Sequence, residues 1–114
     1  MRKSLTSILV LAGICAAPAF ALAESFHDVP VVDVKCSKQV AANPDSHTRD
    51  CALGCAGSGF GIVTQDQGFL KFDAAGNEKI LAELKASSKK DHLRVNVSGE
   101  VQGDTLKVSS VKWL

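Results

Sequence analysis

The stretch His92-Leu93-Arg94-Val95-Asn96-Val97-Ser98-Gly99-Glu100-Val101, with the turn Gly103-Asp104 and the return run Thr105-Leu106-Lys107-Val108-Ser109-Ser110-Val111-Lys112-Trp113-Leu114, decides the fold. Leu93, Val95 and Val97 alternate with Arg94, Asn96 and Ser98, and a period of two belongs to a strand with one buried face. On the return run Leu106 and Val108 face inward. The phase then slips at Ser109-Ser110, so Val111 and Trp113 rejoin the same face only if the strand bulges there. An antiparallel pair joined by a tight turn is expected.

Earlier segments supply what this pair packs against. Asn77 is placed to cap a helix through Ala86, with Ile80, Leu81 and Leu84 on its buried side, and Ser87 to Asp91 breaks that helix into a loop. Phe60 to Thr64 and Phe69 to Phe72 are short apolar runs joined by Gln65-Asp66-Gln67-Gly68, a hairpin pattern. Val29 to Cys36 reads as a strand with Val32, Val34 and Cys36 on one face and Val31, Asp33 and Lys35 on the other, which puts Cys36 inward at a strand end. Asn43-Pro44-Asp45-Ser46 resembles a helix start, and the expected short helix runs to about Ala56, where Gly57-Ser58-Gly59 ends it. The result is a mainly β (α+β) chain: a small five-stranded OB-like barrel with one helix inserted after strand 1 and one between strands 3 and 4.

The first 23 residues read differently. Arg2 and Lys3 precede an apolar run from Leu5 through Ala17, too short for the roughly 20 apolar residues of a membrane-spanning helix. Pro18 and Ala21-Leu22-Ala23 follow, the small residues that signal peptidase requires. Residues 1–23 are therefore expected to be a signal peptide, cleaved after Ala23, and residues 24–114 one domain without a membrane span, periplasmic or secreted. Cys15 lies near a lipobox spacing, but Ile14 stands where a small residue is needed, so lipidation is not the expectation.

Loss of the signal leaves 11 basic against 12 acidic residues, a net charge of −1. That balance carries no basic excess for nucleic acid or anionic lipid. Three cysteines remain, an odd number for a compartment that oxidises thiols.

Several blocks carry a resemblance: Val31-Val32-Asp33-Val34-Lys35-Cys36, His47-Thr48-Arg49-Asp50-Cys51-Ala52-Leu53-Gly54-Cys55, Gly59-Phe60-Gly61-Ile62-Val63, Asp73-Ala74-Ala75-Gly76-Asn77, and Val97 through Thr105. Together they resemble uncharacterised bacterial exported small proteins with an OB-like fold. The resemblance spans the chain after the signal and implies a fold and a compartment, with no activity attached.

His47, Cys51 and Cys55 stand at i, i+4 and i+8, which on a helix forms one slowly drifting stripe. If Cys36 faces that stripe, three thiolates and an imidazole make a tetrahedral set for zinc or a soft set for copper(I). Set against this is a disulfide between Cys36 and either Cys51 or Cys55, which export and small size favour and which stabilises by about 2–4 kcal/mol. A thiol-disulfide redox protein built on Cys51 and Cys55 is a third reading. It lacks the two-residue spacing at a helix N-terminus that lowers a thiol pKa.

The first expectation is thus a non-enzymatic binding module for a protein or small ligand, stapled by its cysteines; the alternative is a zinc or copper(I) protein using Cys36, His47, Cys51 and Cys55. Nucleic acid is not an expected partner, because single-strand-binding OB barrels stack bases on exposed aromatics and the single Trp113 falls at a core-like position. His92, near Lys89, Lys90 and Arg94, reads as part of a solvated basic rim, and His27 lies near the new N-terminus.

Overall fold

The computed structural model describes residues 22–114 of the chain. Except for Leu22 and Ala23, the expected signal peptide, with Cys15, lies outside the described residues. Five strands, β1 (Leu22–Asp33), β2 (Phe60–Val63), β3 (Phe69–Phe72), β4 (Arg94–Gln102) and β5 (Thr105–Trp113), close into a barrel of order β1-β2-β3-β5-β4. All neighbouring pairs are antiparallel except β3 with β5, which meet in parallel at Lys71↔Thr105 and Phe72↔Leu106. This is the expected OB-like barrel, with three short α-helices: α1 (Ser37–Val40) and α2 (Arg49–Gly54) between β1 and β2, and α3 (Ala74–Ala86) between β3 and β4. Among the described residues no helix is long and apolar enough to cross a membrane.

The alternation read from the C-terminal pair carries through. Leu93, Val95, Val97, Leu106 and Val108 enter one core with Val29, Val31, Phe60, Ile62 and Phe72, and Ile80 and Leu84 pack into it from α3. The register places Ser98 opposite Ser110 and Gly99 opposite Val108, so Ser109 is the extra residue of a bulge at the expected phase slip. Gly99 permits the close approach there, since a Cβ would stand 2.2 Å from the Lys107 carbonyl oxygen.

Four local expectations are corrected. β1 begins before Val29 because its first half pairs along β4, from Leu22↔Val101 to Phe26↔Val97, and it stops at Asp33, whose carboxylate accepts from the Cys36 N–H and caps a one-turn 3-10 helix over Val34–Cys36. Cys36 is therefore not a strand residue. The faces of β1 are also reversed at its end: Val31 lies in the barrel core, and Asp33 is fully buried instead of facing out. Val32 is equally buried but outside that core cluster, and α1 and the turn Pro44–Ser46 also pack against β1.

The single helix expected from Asn43 to Ala56 is broken into a 3-10 turn (Pro44–Ser46), α2 and a second 3-10 turn (Ala56–Ser58). His47 takes an extended backbone, and Thr48 starts α2 by accepting the Cys51 N–H on its side chain. Likewise α3 starts four residues earlier than expected. Asp73 caps it through Gly76 N–H and also accepts from Val108 N–H, while Asn77 instead accepts the Phe60 N–H.

Candidate metal centre

The segment between β1 and β2 is pinned to the barrel from two sides. Asp45 accepts a bidentate pair from Arg94 of β4, at 2.9 Å each, and its carbonyl accepts the His92 N–H. Arg49 donates to the carbonyls of Leu84 and Lys85, covering the C-terminal end of α3 where free carbonyls gather. Hydrogen bonds to charged groups are worth about 1.5–3 kcal/mol before solvent screening, so these contacts fix the insert and with it the side chains it carries.

Between those anchors lies a group of three potential ligands. One donor atom from each of Asp33, Cys36 and Cys55 lies within 4.8 Å of the other two. Each residue arrives through local backbone chemistry. Asp33 ends β1 as the cap of the 3-10 turn, Cys36 is the third residue of that turn, and Cys55 ends α2, its N–H bonded to the Cys51 carbonyl. Asp33 is fully buried and both cysteines are half-buried, so the carboxylate forms the floor of the site and the sulfurs its rim.

His47 serves the floor. Its Nε2 meets Asp33 Oδ1 at 2.5 Å, with His47 only 5% exposed and Asp33 fully buried, while Asp33 Oδ2 receives the Cys36 N–H. Both carboxylate oxygens are thus oriented by the protein, and each keeps lone-pair capacity for a ligand. Partial burial, then the negative charge of Asp33 and the neighbouring Cys55, pushes the Cys36 thiol above its ordinary range, so without a metal this thiol holds its proton at neutral pH.

Of the four residues expected to converge, the structure brings together Cys36 and Cys55. Because the helix breaks at Thr48, His47 leaves the stripe and turns to Asp33, and Cys51 is exposed, outside the ligand group. All three described cysteines are unbridged. Sequence reasoning missed Asp33 because strand alternation grouped it with Lys35 on the outward face. The available signal was the Asp33-x-x-Cys36 spacing, that of a cap whose side chain accepts an N–H three residues on.

The positions of β4 and β5 between their core residues are Arg94, Asn96, Ser98, Lys107 and Ser109, and Phe69 lies against Gly61 of β2. Fold and site together define the class: a small OB-like barrel with an inserted thiol-carboxylate cluster. Comparison with protein-family models, with curated proteins and with solved structures returned no match.

Proposed function

We propose that the chain is an exported, non-enzymatic zinc-binding module in which Asp33, Cys36 and Cys55 are the ligands and His47 holds Asp33 in place. The observation that carries this reading is the mutual 4.8 Å proximity of one carboxylate oxygen and two sulfurs. Tetrahedral zinc with Zn–S near 2.3 Å places two sulfurs about 3.8 Å apart, so a contraction of at most about 1 Å completes the set. A carboxylate ligand whose second contact is a histidine also matches the outer-shell support that metal sites require.

The donor set decides between the two metals. Two thiolates alone suit copper(I) as well as zinc, but a carboxylate is a hard donor that favours zinc over copper(I). Three protein ligands leave one position for water or an outside donor, on the half-exposed side of the sulfurs. Bound there, zinc ties the end of β1 to the end of α2.

A second reading, a Cys36–Cys55 disulfide, draws on the same adjacency and on the expected export. It would tie the same two segments, at about 3 kcal/mol for a loop of roughly 20 residues. Native mass spectrometry of the reduced protein with equimolar zinc, followed by thiol alkylation, separates the two. The expected result is one zinc per chain, kept in Cys51→Ser and lost in Cys36→Ser and Cys55→Ser, with circular dichroism confirming that each variant is folded. A wild-type chain that takes up no zinc, or a Cys51→Ser chain that loses it, contradicts the zinc reading.

A further inference from the structure

Four features of the cluster go beyond metal binding. First, the two sulfurs lie within 4.8 Å of each other, a separation that must fall to about 2 Å for a disulfide. Second, both sit on short, locally held segments: Cys36 closes a single 3-10 turn, and Cys55 joins α2 to the next one. Third, both are only half-buried, so a small reagent can reach them. Fourth, the remaining ligand cannot hold the metal alone, because Asp33 is a single carboxylate and zinc sites draw on three or four protein ligands.

From these features we infer that the site is a redox gate, in which oxidation of Cys36 and Cys55 to a disulfide by a low-molecular-weight disulfide expels the zinc. The inference rests on the zinc reading above. In the reaction, one cysteine thiolate attacks the reagent's S–S bond and displaces one reagent thiolate. The second cysteine thiolate then attacks the mixed disulfide and displaces the other. Two electrons pass from the cysteine sulfurs to the reagent, one S–S bond forms for the one broken, and Zn²⁺ leaves as its two sulfur ligands become neutral. The bridge joins the same two segments as the metal, so the insert stays pinned in both states and only the metal is gained or lost. Cys51, exposed and outside the ligand group, can take up a glutathione adduct without touching the metal, and Cys51→Ser removes that side reaction.

The test uses zinc-loaded protein, wild type and Cys51→Ser, treated with oxidised glutathione. Zinc release is followed with a chromogenic chelator, and disulfides are mapped by peptide mass spectrometry. The expected result is one zinc released for each Cys36–Cys55 bridge, with the same stoichiometry in Cys51→Ser and full zinc uptake again after dithiothreitol. Zinc retained while the bridge is closed, zinc retained with both thiols untouched, or release through glutathione adducts without a bridge would each overturn the gate while leaving the zinc reading intact. Protein that never loads zinc overturns the zinc reading itself, and the gate with it.

Discussion

His47 Nε2 and Asp33 Oδ1 meet at 2.5 Å across 14 residues of sequence, in a contact closed to solvent on both sides. Few unpaired polar groups survive such burial, so each residue of this pair depends on the other. The same carboxylate caps the turn carrying Cys36. A fold contact and the floor of the proposed site are therefore one side chain.

Replacing Asp33 by Ala removes the cap and leaves the His47 ring buried without its partner. Leaving a buried polar group without its hydrogen-bond partner costs about 1–3 kcal/mol, and urea unfolding should show that loss. Asp33→Asn retains an acceptor for the Cys36 N–H and should cost less; equal losses for the two variants would mean that the cap contributes nothing.

Acid should weaken the anchor at Asp45. The hydrogen bond from Arg94 is the main cause holding the Asp45 carboxyl below the usual range, against an opposing contribution from burial. A carboxyl depressed in the folded state stabilises fully above its unfolded pKa of about 3.9 and loses that contribution as pH falls through the lower folded value. Because the two side chains are 27% and 30% exposed, Asp45→Asn is expected to cost about 1 kcal/mol at neutral pH. Its deficit relative to wild type should shrink below about pH 4 in denaturant titrations; a deficit that grows in acid would contradict the assignment.

At Gly61 packing outweighs propensity. An added Cβ would lie 2.2 Å from the Leu70 carbonyl oxygen and 2.5 Å from the Phe69 ring. Alanine would gain at most about 1 kcal/mol from reduced backbone freedom, while overpacking costs about 1–3 kcal/mol and backbone here has little room to move. Gly61→Ala should therefore lower stability by about 2 kcal/mol, whereas Gly57→Ala, which meets nothing within 4 Å, should change it by less than about 0.5 kcal/mol. Thermal melts of the two variants give the comparison.

The metal-free thiols should react in a definite order. Cys51 is exposed, while Cys36 is half-buried and its thiol is pushed up by that burial, by Asp33 and by Cys55. Iodoacetamide at pH 8 is expected to label Cys51 before Cys36, and the Cys36 rate should still be climbing at a pH where an ordinary thiol, with pKa about 8.5, has levelled off. Peptide mapping over time reads both; simultaneous labelling would show that the Cys36 environment has been misjudged.

The barrel could be read from the chain because β4 and β5 bury one face each, and a period of two survives wherever only one face is covered. It failed at the end of β1 for the opposite reason. Val31 lies in the core and Val32 is buried outside it, and a strand covered on both sides loses its alternation. Asp33 was consequently turned to the wrong face. The insert misled because the start at Asn43-Pro44 opens only a 3-10 turn; the extended backbone at His47 interrupts the run, and α2 begins afresh after Thr48. That break removes His47 from the expected ligand set, while Cys51 stays on α2 and is exposed. The proximity of Cys36 and Cys55 was legible as one of the two cysteine pairings that the sequence left open.

The most direct measurement of the zinc assignment is the zinc K-edge X-ray absorption spectrum of the reduced, metal-loaded protein. Ligation by Asp33, Cys36 and Cys55 calls for two sulfur neighbours at about 2.3 Å and two oxygen or nitrogen neighbours at about 2.0–2.2 Å. A shell of three sulfurs would bring Cys51 into the site, and a shell without sulfur would place the metal elsewhere; either would contradict the Asp33–Cys36–Cys55 centre.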